Sequence, residues 1–265
     1  MAQEPEEVSI GEAELRAIQR LDPEFLEHSA LAQSAFNLIQ DLLIRVPEML
    51  VKEMPLSLKV AIALLARLLN DLRCVGLLAH RGYATQACTV AASMYEVAYT
   101  VAFVATDDDL AQAWVNHDDP TRSFKDIRAV TRGGLARLSV PDADAQSVVE
   151  YRVYSQLCMA RHANPLFQAE HSYRSQADRT VGPLLGPDDL NAVRAGQFAL
   201  EHASALAFIA SASFFKEHFV ALVPESVALE FKSRIETLGA ARKALEAKGK
   251  ARWGTEDPFA GKWRT

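Results

Sequence analysis

Apolar residues recur every three or four positions between Leu56 and Thr106, and this is the best-patterned stretch of the chain. Such spacing is typical of the buried face of an α-helix. Two stripes are present, one before and one after Gly82: Leu58, Ile62, Leu65, Leu69 and Leu72, then Ala87, Val90, Met94, Val97, Val101 and Val104. Glycine takes the left-handed conformation that ends many helices without steric cost, so Gly82 is suited to close the first helix. The pattern predicts a long helical hairpin.

Start and stop signals divide the rest of the chain into further helices. Ser9 and Glu12 form a capping-box pattern that opens a short helix, and Asp22-Pro23 is interpreted as the start of the next one. Gly133-Gly134 is interpreted as the break that ends a basic helix, Thr121–Arg132. Four further start signals lie at Asp107, Pro141-Asp142, Asp188 and Pro224-Glu225. We expect about eight to ten helices in all.

The pattern also decides the fold class. Alternating β-branched residues are nearly absent, and most of the 11 prolines fall between the periodic segments. These features predict an all-α fold, a multi-helix up-and-down bundle built around the central long hairpin. No linker or repeat interrupts residues 1–265, so we interpret them as a single all-helical domain. Residues 1–8 are expected to be a disordered acidic arm, and residues 250–265 a polar and aromatic tail that docks on the body or on a second subunit.

Composition excludes several classes of protein. The formal net charge of −6 argues against binding nucleic acid mainly through its phosphates, since such proteins usually carry a basic excess. The acidic N-terminus lacks the apolar core of a signal peptide, and no uninterrupted apolar run reaches the roughly 18 residues of a membrane span. We therefore expect a soluble cytoplasmic protein without membrane association.

Motifs for metals and cofactors are missing from the sequence. It has no His-Glu-x-x-His or Glu-x-x-His pattern for a metal, and no Gly-x-x-x-x-Gly-Lys or Gly-x-Gly-x-x-Gly loop for a nucleotide. His117, Asp118 and Asp119 are neighbours in the chain, and adjacent turn residues rarely point at one centre. We interpret them as a turn and cap, and we predict neither a metal ion nor a cofactor.

Glu96 is a carboxylate inside the most apolar run of the chain. Burying an ionised carboxylate costs several kcal/mol unless it is paired, so an inward-facing Glu96 requires a partner. Arg73, Arg152 and Arg161 have the right chemistry. A position on an exposed strip of the helix, or a purely structural pair, is the alternative to a functional role.

A second concentration of polar side chains comprises Tyr154, Arg161 and His162. His162 lies at a predicted helix C-terminus, where the helix dipole stabilises a cation, and simple capping is the alternative to a functional role. Ser155 and His162 are two helical turns apart, about 10 Å, which is too far for a direct hydrogen bond. We predict that Tyr154, Arg161 or His162 is the partner of Glu96.

The segment from Leu56 to Pro165 resembles a group of functionally uncharacterised bacterial all-helical proteins. The shared features are a Gly-Tyr hinge, a Gln-Ala pair, an aromatic-Glu pair and a tyrosine/serine-to-histidine helix: Gly82-Tyr83, Gln86-Ala87, Tyr95-Glu96, and Tyr154-Ser155 to His162. That group is distantly similar to HEPN domains, helical proteins common in toxin–antitoxin and phage-defence systems. The resemblance implies a helical bundle, a homodimer and a setting in bacterial defence or stress response.

The resemblance also implies a candidate chemistry. Many HEPN domains are metal-independent ribonucleases with an Arg-x(4–6)-His motif at a dimer interface, which Arg73 and His80 match here. Such a site works by general acid–base catalysis and by stabilising phosphate charge. The candidate catalytic residues are Glu96, Tyr154, Arg161, His162, Arg73 and His80.

Two functions follow as hypotheses. The leading one is a non-enzymatic helical module that binds a protein partner or a small ligand, and the alternative is a HEPN-like ribonuclease acting on RNA. An enzyme of small-molecule chemistry, with a pocket between the hairpin and the helix after Asp188, is a third class. Arg–His pairs that converge with Glu96 or Tyr154 in an open cleft would favour the ribonuclease, and burial in separate salt bridges would disfavour it.

Overall fold

The computed structural model describes residues 9–48, 51–119, 122–162, 173–175, 181–183 and 190–254. Eight α-helices of eight or more residues lie in these ranges: α1 (Ile10–Ile44), α2 (Leu56–His80), α3 (Ala84–Val104), α4 (Asp108–Val115), α5 (Ile127–Arg137), α6 (Ala143–Arg161), α7 (Leu190–Phe214) and α8 (Glu225–Trp253). The shorter elements are a 3₁₀ turn (Val51–Glu53), an antiparallel pair of strands, β1 (Tyr173–Ser175) and β2 (Val181–Pro183), a π-helical turn (Phe215–Phe219) and a last helical turn (Val220–Leu222). The predicted all-α class is confirmed, since packed helices make up the framework.

The predicted hairpin is formed by α2 and α3, and it lies at the centre of the bundle. Gly82 has a φ of 88°, and its N–H donates to the carbonyl oxygen of Ala79 at 3.1 Å. Helix α3 packs against α2, α5, α6 and α7, and α1 packs against α2, α7 and α8. Because 14 of the 21 residues of α3 are buried, this helix has no wide polar face. It is the core helix of the protein.

The most extensive helix contact is that between α3 and α7, and both helices are rich in small buried side chains. Each helix buries several alanines: Ala87, Ala91 and Ala98 on α3, and Ala199, Ala203, Ala207 and Ala210 on α7. Alanine lets two helix axes approach closely, because little side-chain volume separates them. This contact is a closely packed apolar interface.

Helix α1 contradicts the expected boundary at Asp22-Pro23. It continues through Pro23 as one helix of 35 residues, and only its beginning, the Ser9–Glu12 capping box, was predicted correctly. A proline inside a helix costs about 3 kcal/mol. Leu21 and Phe25 are almost completely buried on either side, and each contributes about 1.5–3 kcal/mol by leaving water. Tertiary burial therefore outweighs the local signal.

The expected helix break at Gly133-Gly134 is also wrong. Both glycines lie inside α5, which begins at Ile127 rather than near Thr121. A Cβ atom on Gly133 would overlap the ring of Phe103, and one on Gly134 would lie 3.0 Å from the Cβ of Ala102. These glycines are needed for the close approach of α5 to α3.

Other start signals are confirmed at the level of the cap. The side chain of Asp107 accepts a hydrogen bond from the N–H of Leu110 at 3.0 Å, and that of Asp142 accepts from the N–H of Ala145 at 3.1 Å. Helix α8 begins at Glu225 as expected. Capping depends on a few neighbouring residues, which is why the sequence predicts it well.

Two helical segments, Ala84–Val104 and Val193–Leu222, are long and apolar enough to cross a membrane by length and composition alone. Of their apolar windows, 72% and 56% are buried inside the bundle. Core helices of soluble proteins pass the same test, so the two segments are weak evidence for a membrane span. The cytoplasmic location stays a prediction.

Three expectations lie outside the described residues in whole or in part: the acidic arm over residues 1–8, the helix start at Asp188, and the tail after Gly254. Trp253, within the predicted tail segment, is described. Its ring N–H donates to the side-chain oxygen of Gln197 on α7 at 2.9 Å. This end of α8 is thus docked on the body of the bundle.

Candidate functional site

Glu96, Tyr154 and Arg161 meet where α3 crosses α6, and we call them the α3–α6 cluster. The Tyr154 hydroxyl donates to Oε1 of Glu96 at 2.8 Å, and Nη1 of Arg161 donates to the same oxygen at 3.0 Å. Glu96 is 33% exposed and Arg161 is 46% exposed, so the ion pair lies at the rim of the core. Of the three predicted partners of Glu96, which were Tyr154, Arg161 and His162, the first two contact it.

Helical spacing brings the two donors to one carboxylate. Tyr154 and Arg161 are seven residues apart, which is close to two turns of α6, so both side chains lie on the face toward α3. Arg152 and Arg73, the other arginines considered as partners, are exposed. The choice among the three arginines was settled by which helix packs against α3, a question that the sequence pattern leaves open.

A row of four tyrosines supports the cluster from the inside. The ring centroids are 4.6 Å apart for Tyr99 and Tyr95, 4.8 Å for Tyr95 and Tyr154, and 5.9 Å for Tyr154 and Tyr151. Tyr99 and Tyr95 are completely buried, and Tyr151 is exposed. Tyr95 also forms a hydrogen bond of 2.9 Å with the hydroxyl of Thr131 on α5. This tyrosine stack runs from the core to the surface and fixes the position of Tyr154.

The electrostatics of the cluster favour binding over proton transfer. Burial raises the pKa of Tyr154 well above its usual range, and the neighbouring Cys158 and Glu96 raise it further. The hydroxyl therefore keeps its proton and acts as a hydrogen-bond donor. Burial also raises the pKa of the Cys158 thiol, which keeps this cysteine in its poorly nucleophilic form. Arg161 and Glu96 balance each other's charge.

His162 lies at the end of α6 beside this cluster. Its backbone N–H donates to the carbonyl of Cys158 at 2.9 Å, and its side chain is exposed. Within the described part of the chain, the hydrogen bonds and ion pairs of Glu96 join it to Tyr154 and Arg161, and not to the imidazole. Among the described residues, the imidazole of His162 is therefore not a partner of the α3–α6 cluster.

His80 belongs to a different part of the molecule. Its Nδ1 lies 2.6 Å from Oδ1 of Asp22, and its Nε2 lies 2.7 Å from Oγ of Ser29. Asp22 and Ser29 both belong to α1, so these three residues join the end of α2 to α1, and we call them the α1–α2 triad. Arg73 is exposed two turns earlier on α2. In the described residues His80 bonds to α1 and not to Arg73.

Sequence reasoning missed the contribution of Ser29 and Asp22. The two residues are seven positions apart, so they share one face of a helix only if that helix continues through Pro23. Interpreting Asp22-Pro23 as a helix start made Asp22 a cap residue at the start of the helix that contains Ser29, so the two were not assigned to one helical face. The signal that could have revealed them is an acidic residue and a hydroxyl at helical spacing on a long α1.

The other polar candidates have structural partners. Nε2 of His117 lies 2.8 Å from the carbonyl oxygen of Arg122, and the Arg122 guanidinium lies 3.7 Å from the Asp119 carboxylate. These contacts are local, and Pro120, the last residue of the predicted turn, lies outside the described residues. Among the described residues, no group of three or more His, Cys, Asp or Glu side chains has the arrangement of a metal site.

A cleft of about 500 Å³ lies between the N-terminal parts of α5 and α6. Its charged lining residues are Asp126, Arg128, Arg132 and Asp144. Arg132 and Asp144 pair across it at 3.5 Å. Asp144 is 17 residues before Arg161 on α6, about 25 Å at the helical rise, so this cleft is remote from the α3–α6 cluster.

Comparison of the chain with protein-family models, with curated proteins and with solved structures finds no match. The resemblance of Leu56–Pro165 to a HEPN-like group stays a prediction.

Proposed function

We propose that the protein is a helical binding module and that a partner or small ligand binds at the α3–α6 cluster. The observation that carries the proposal is the half-exposed ion pair of Glu96 and Arg161, set on a buried tyrosine stack. A rigid base with a charged donor and acceptor at its edge is suited to recognition, because little conformational freedom is lost on binding.

The chemistry of the ligand follows from the donors at the surface. A guanidinium carries five N–H donors, and the contact to Glu96 uses the Nη1 nitrogen of Arg161. The other donors of this 46%-exposed side chain match a carboxylate or phosphate, which arginine binds through two parallel hydrogen bonds. We therefore propose a ligand that presents a carboxylate or phosphate group to Arg161.

Thermal unfolding with added anions tests the proposal. The probes are citrate, inorganic phosphate and a short single-stranded RNA, with Arg161→Ala as the test variant and the exposed Arg152→Ala, on the same helix, as its matched control. A ligand at 100 times its dissociation constant stabilises the folded state by about 2.7 kcal/mol. At least one probe should raise the midpoint of the wild type and of Arg152→Ala but not of Arg161→Ala. Equal effects on all three proteins, or no effect of any probe, would contradict the proposal.

The second candidate is a HEPN-like ribonuclease, and the position of Arg161 favours one form of it. Arg161 lies beside a carboxylate and is followed in the chain by the exposed His162, so an arginine and a histidine, the residue types that the resemblance implies, both occur at the end of α6. The Arg73–His80 pair is disfavoured, because the His80 ring is bonded to α1. The resemblance supports a homodimer and a setting in bacterial defence or stress response for either function.

Incubation of the purified protein with mixed RNA separates the two candidates. Under the ribonuclease hypothesis the wild type cleaves RNA, His162→Ala is inactive and His80→Ala retains activity. Under the binding hypothesis no protein cleaves RNA.

Sedimentation velocity tests the homodimer, since a dimer has twice the 29.1 kDa mass of the chain.

A further inference from the structure

The α1–α2 triad has the connectivity of a nucleophilic site. Its members form a series in which the Asp22 carboxylate contacts one ring nitrogen of His80 and the Ser29 hydroxyl contacts the other, at 2.6 Å and 2.7 Å. In serine hydrolases the same order of acid, imidazole and hydroxyl recurs on unrelated folds, and it is recognised by geometry rather than by position in the sequence. Here it is built on two helices.

Hydrogen-bond chemistry assigns the protons. An ionised carboxylate only accepts hydrogen bonds, so the Nδ1 of His80 must carry the hydrogen in its contact with Asp22. In the neutral imidazole the Nε2 is then an acceptor, and the Ser29 hydroxyl donates to it. Asp22 thus holds the imidazole in the tautomer that can take a proton from serine. The ring of Phe25 meets His80 edge-on with centroids 5.4 Å apart and restricts its orientation.

The triad is open to solvent. The side chain of Asp22 is 56% exposed, that of His80 is 25% exposed, and Ser29 is half-buried. Leu26 falls between Asp22 and Ser29 on the same strip of α1, by its spacing of four and three residues, and is 71% exposed. This exposed apolar side chain on the strip that carries the hydroxyl favours an uncharged acyl group over a charged one.

We propose that Ser29 is a nucleophile that accepts the acyl group of an activated ester or thioester, with His80 as its general base and Asp22 as the positioning residue. The Ser29 oxygen forms a bond to the carbonyl carbon while its proton passes to Nε2 of His80. The bond to the alcohol or thiol then breaks, and the leaving group takes that proton. The products are an acylated Ser29 and a free alcohol or thiol, and water releases the acid by the reverse sequence of proton transfers.

The position of Ser29 limits the reaction to activated electrophiles. Ser29 lies in the interior of α1, where its backbone N–H belongs to the helical hydrogen-bond ladder and is not available to an oxyanion. Each missing oxyanion donor costs about 10²–10³ in rate. We therefore expect modification of Ser29 by reagents with good leaving groups, and slow turnover of ordinary esters.

Labelling with a fluorophosphonate tests the proposal directly on the full chain. The serine oxygen forms a bond to phosphorus, the P–F bond breaks, and fluoride leaves as the proton passes to His80. Intact mass should show one adduct per chain, and peptide mapping should place it on Ser29. The matched control is Ser34→Ala, since Ser34 is exposed on the same helix and its hydroxyl donates to the carbonyl of Ala30 at 2.9 Å. Labelling should survive this change and disappear in Ser29→Ala.

The rate of fluorophosphonate labelling tests the role of His80. Removing the general base in His80→Gln should slow labelling by about 100-fold, and Asp22→Asn should slow it by at least tenfold, with circular dichroism as the check of folding.

With p-nitrophenyl acetate, the wild type should release one equivalent of p-nitrophenol per chain in an initial burst. Absence of an adduct on Ser29 in the wild type would overturn the proposal, whatever the variants do. Equal labelling rates in the wild type and a folded His80→Gln would overturn the role of the imidazole and with it the triad.

Discussion

Two clusters of three polar side chains join pairs of helices in this protein, and their hydrogen bonds are connected differently. In the α3–α6 cluster, Tyr154 and Arg161 both donate to one oxygen of Glu96. In the α1–α2 triad, the imidazole stands between a carboxylate and a hydroxyl. Two donors that converge on one carboxylate oxygen neutralise its charge, which suits binding. A carboxylate, an imidazole and a hydroxyl bonded in that order provide a route for a proton. The order of donors and acceptors therefore distinguishes the two clusters better than their composition does.

The two regions also differ in their support. The α3–α6 cluster is the outer end of a tyrosine stack whose inner members, Tyr95 and Tyr99, are completely buried. The triad lies over Phe25, with an acid that is more than half exposed. We expect aromatic packing to contribute more to the stability of the first region than to that of the second.

The largest change in the free energy of unfolding is expected from a substitution inside the tyrosine stack. Tyr95→Ala removes a fully buried aromatic ring and should lower the free energy of unfolding by about 3–5 kcal/mol. Tyr151→Ala, at the exposed end of the same stack, should cost less than about 1 kcal/mol. Urea denaturation of both variants measures the difference. Similar losses would show that the stack is not the support of the cluster.

The next largest effect is a dependence of the stability on pH, caused by the buried His28 on α1. Burial lowers the pKa of His28 from its usual value to about 4, the charge of Arg252 acts in the same direction, and Glu27 opposes it. The unfolded chain therefore binds more protons below its ordinary pKa near 6.5. The stabilisation is complete above that pH and is lost as pH falls toward 4.

The test is His28→Leu, which removes this titration. Between pH 7.5 and pH 5 the wild type should lose about 2 kcal/mol more stability than the variant, measured by urea denaturation. Ser34→Ala, which changes an exposed residue of the same helix and removes no titratable group, is the control and should behave like the wild type. Parallel pH profiles for the wild type and His28→Leu would show that His28 titrates normally in the folded protein.

A smaller effect is expected for the hydrogen bond between Tyr154 and Glu96. Tyr154→Phe keeps the ring in the stack and removes only the donor, so it should cost about 1 kcal/mol. A double-mutant cycle with Glu96→Gln isolates the interaction. The two changes should be non-additive by several tenths of a kcal/mol. Full additivity would mean that the hydroxyl and the carboxylate do not interact in solution.

The smallest loss of stability is expected from breaking the ion pair of Glu96 and Arg161. Arg161→Ala should cost about 0.2–1 kcal/mol, because both partners are partly exposed and solvent screens their attraction. In 1 M salt, where the Debye length is about 3 Å, the difference from the wild type should become smaller. A loss above 3 kcal/mol that is insensitive to salt would place Arg161 among the structural residues and weaken its assignment to binding.

Much of the fold could be predicted from local patterns in the sequence. The spacing of apolar residues predicted the hairpin, Gly82 has the expected left-handed backbone, and the caps at Ser9, Asp107 and Asp142 formed as their residue types indicated. Each of these features depends on residues within one or two helical turns. The sequence also predicted part of the Glu96 site, since a carboxylate in an apolar run requires a partner whatever the tertiary structure.

Only the tertiary structure decided the remaining features. Pro23 lies within α1 because Leu21 and Phe25 are buried beside it, and Gly133-Gly134 lies within α5 because α3 approaches closely there. Local propensity cannot predict either outcome, since burial against a distant helix outweighs a local cost of a few kcal/mol.

The two clusters depend on long-range packing in the same way. The contacts of Glu96 join positions 58 and 65 residues apart, and those of His80 join positions 51 and 58 residues apart. The sequence by itself determined that the chain forms long helices around a central hairpin and that Glu96 needs a donor. The packing of α6 on α3 and of α1 on α2 decided which side chains met, because hydrogen bonds act over about 3 Å while the residues that make them are separated by whole helices.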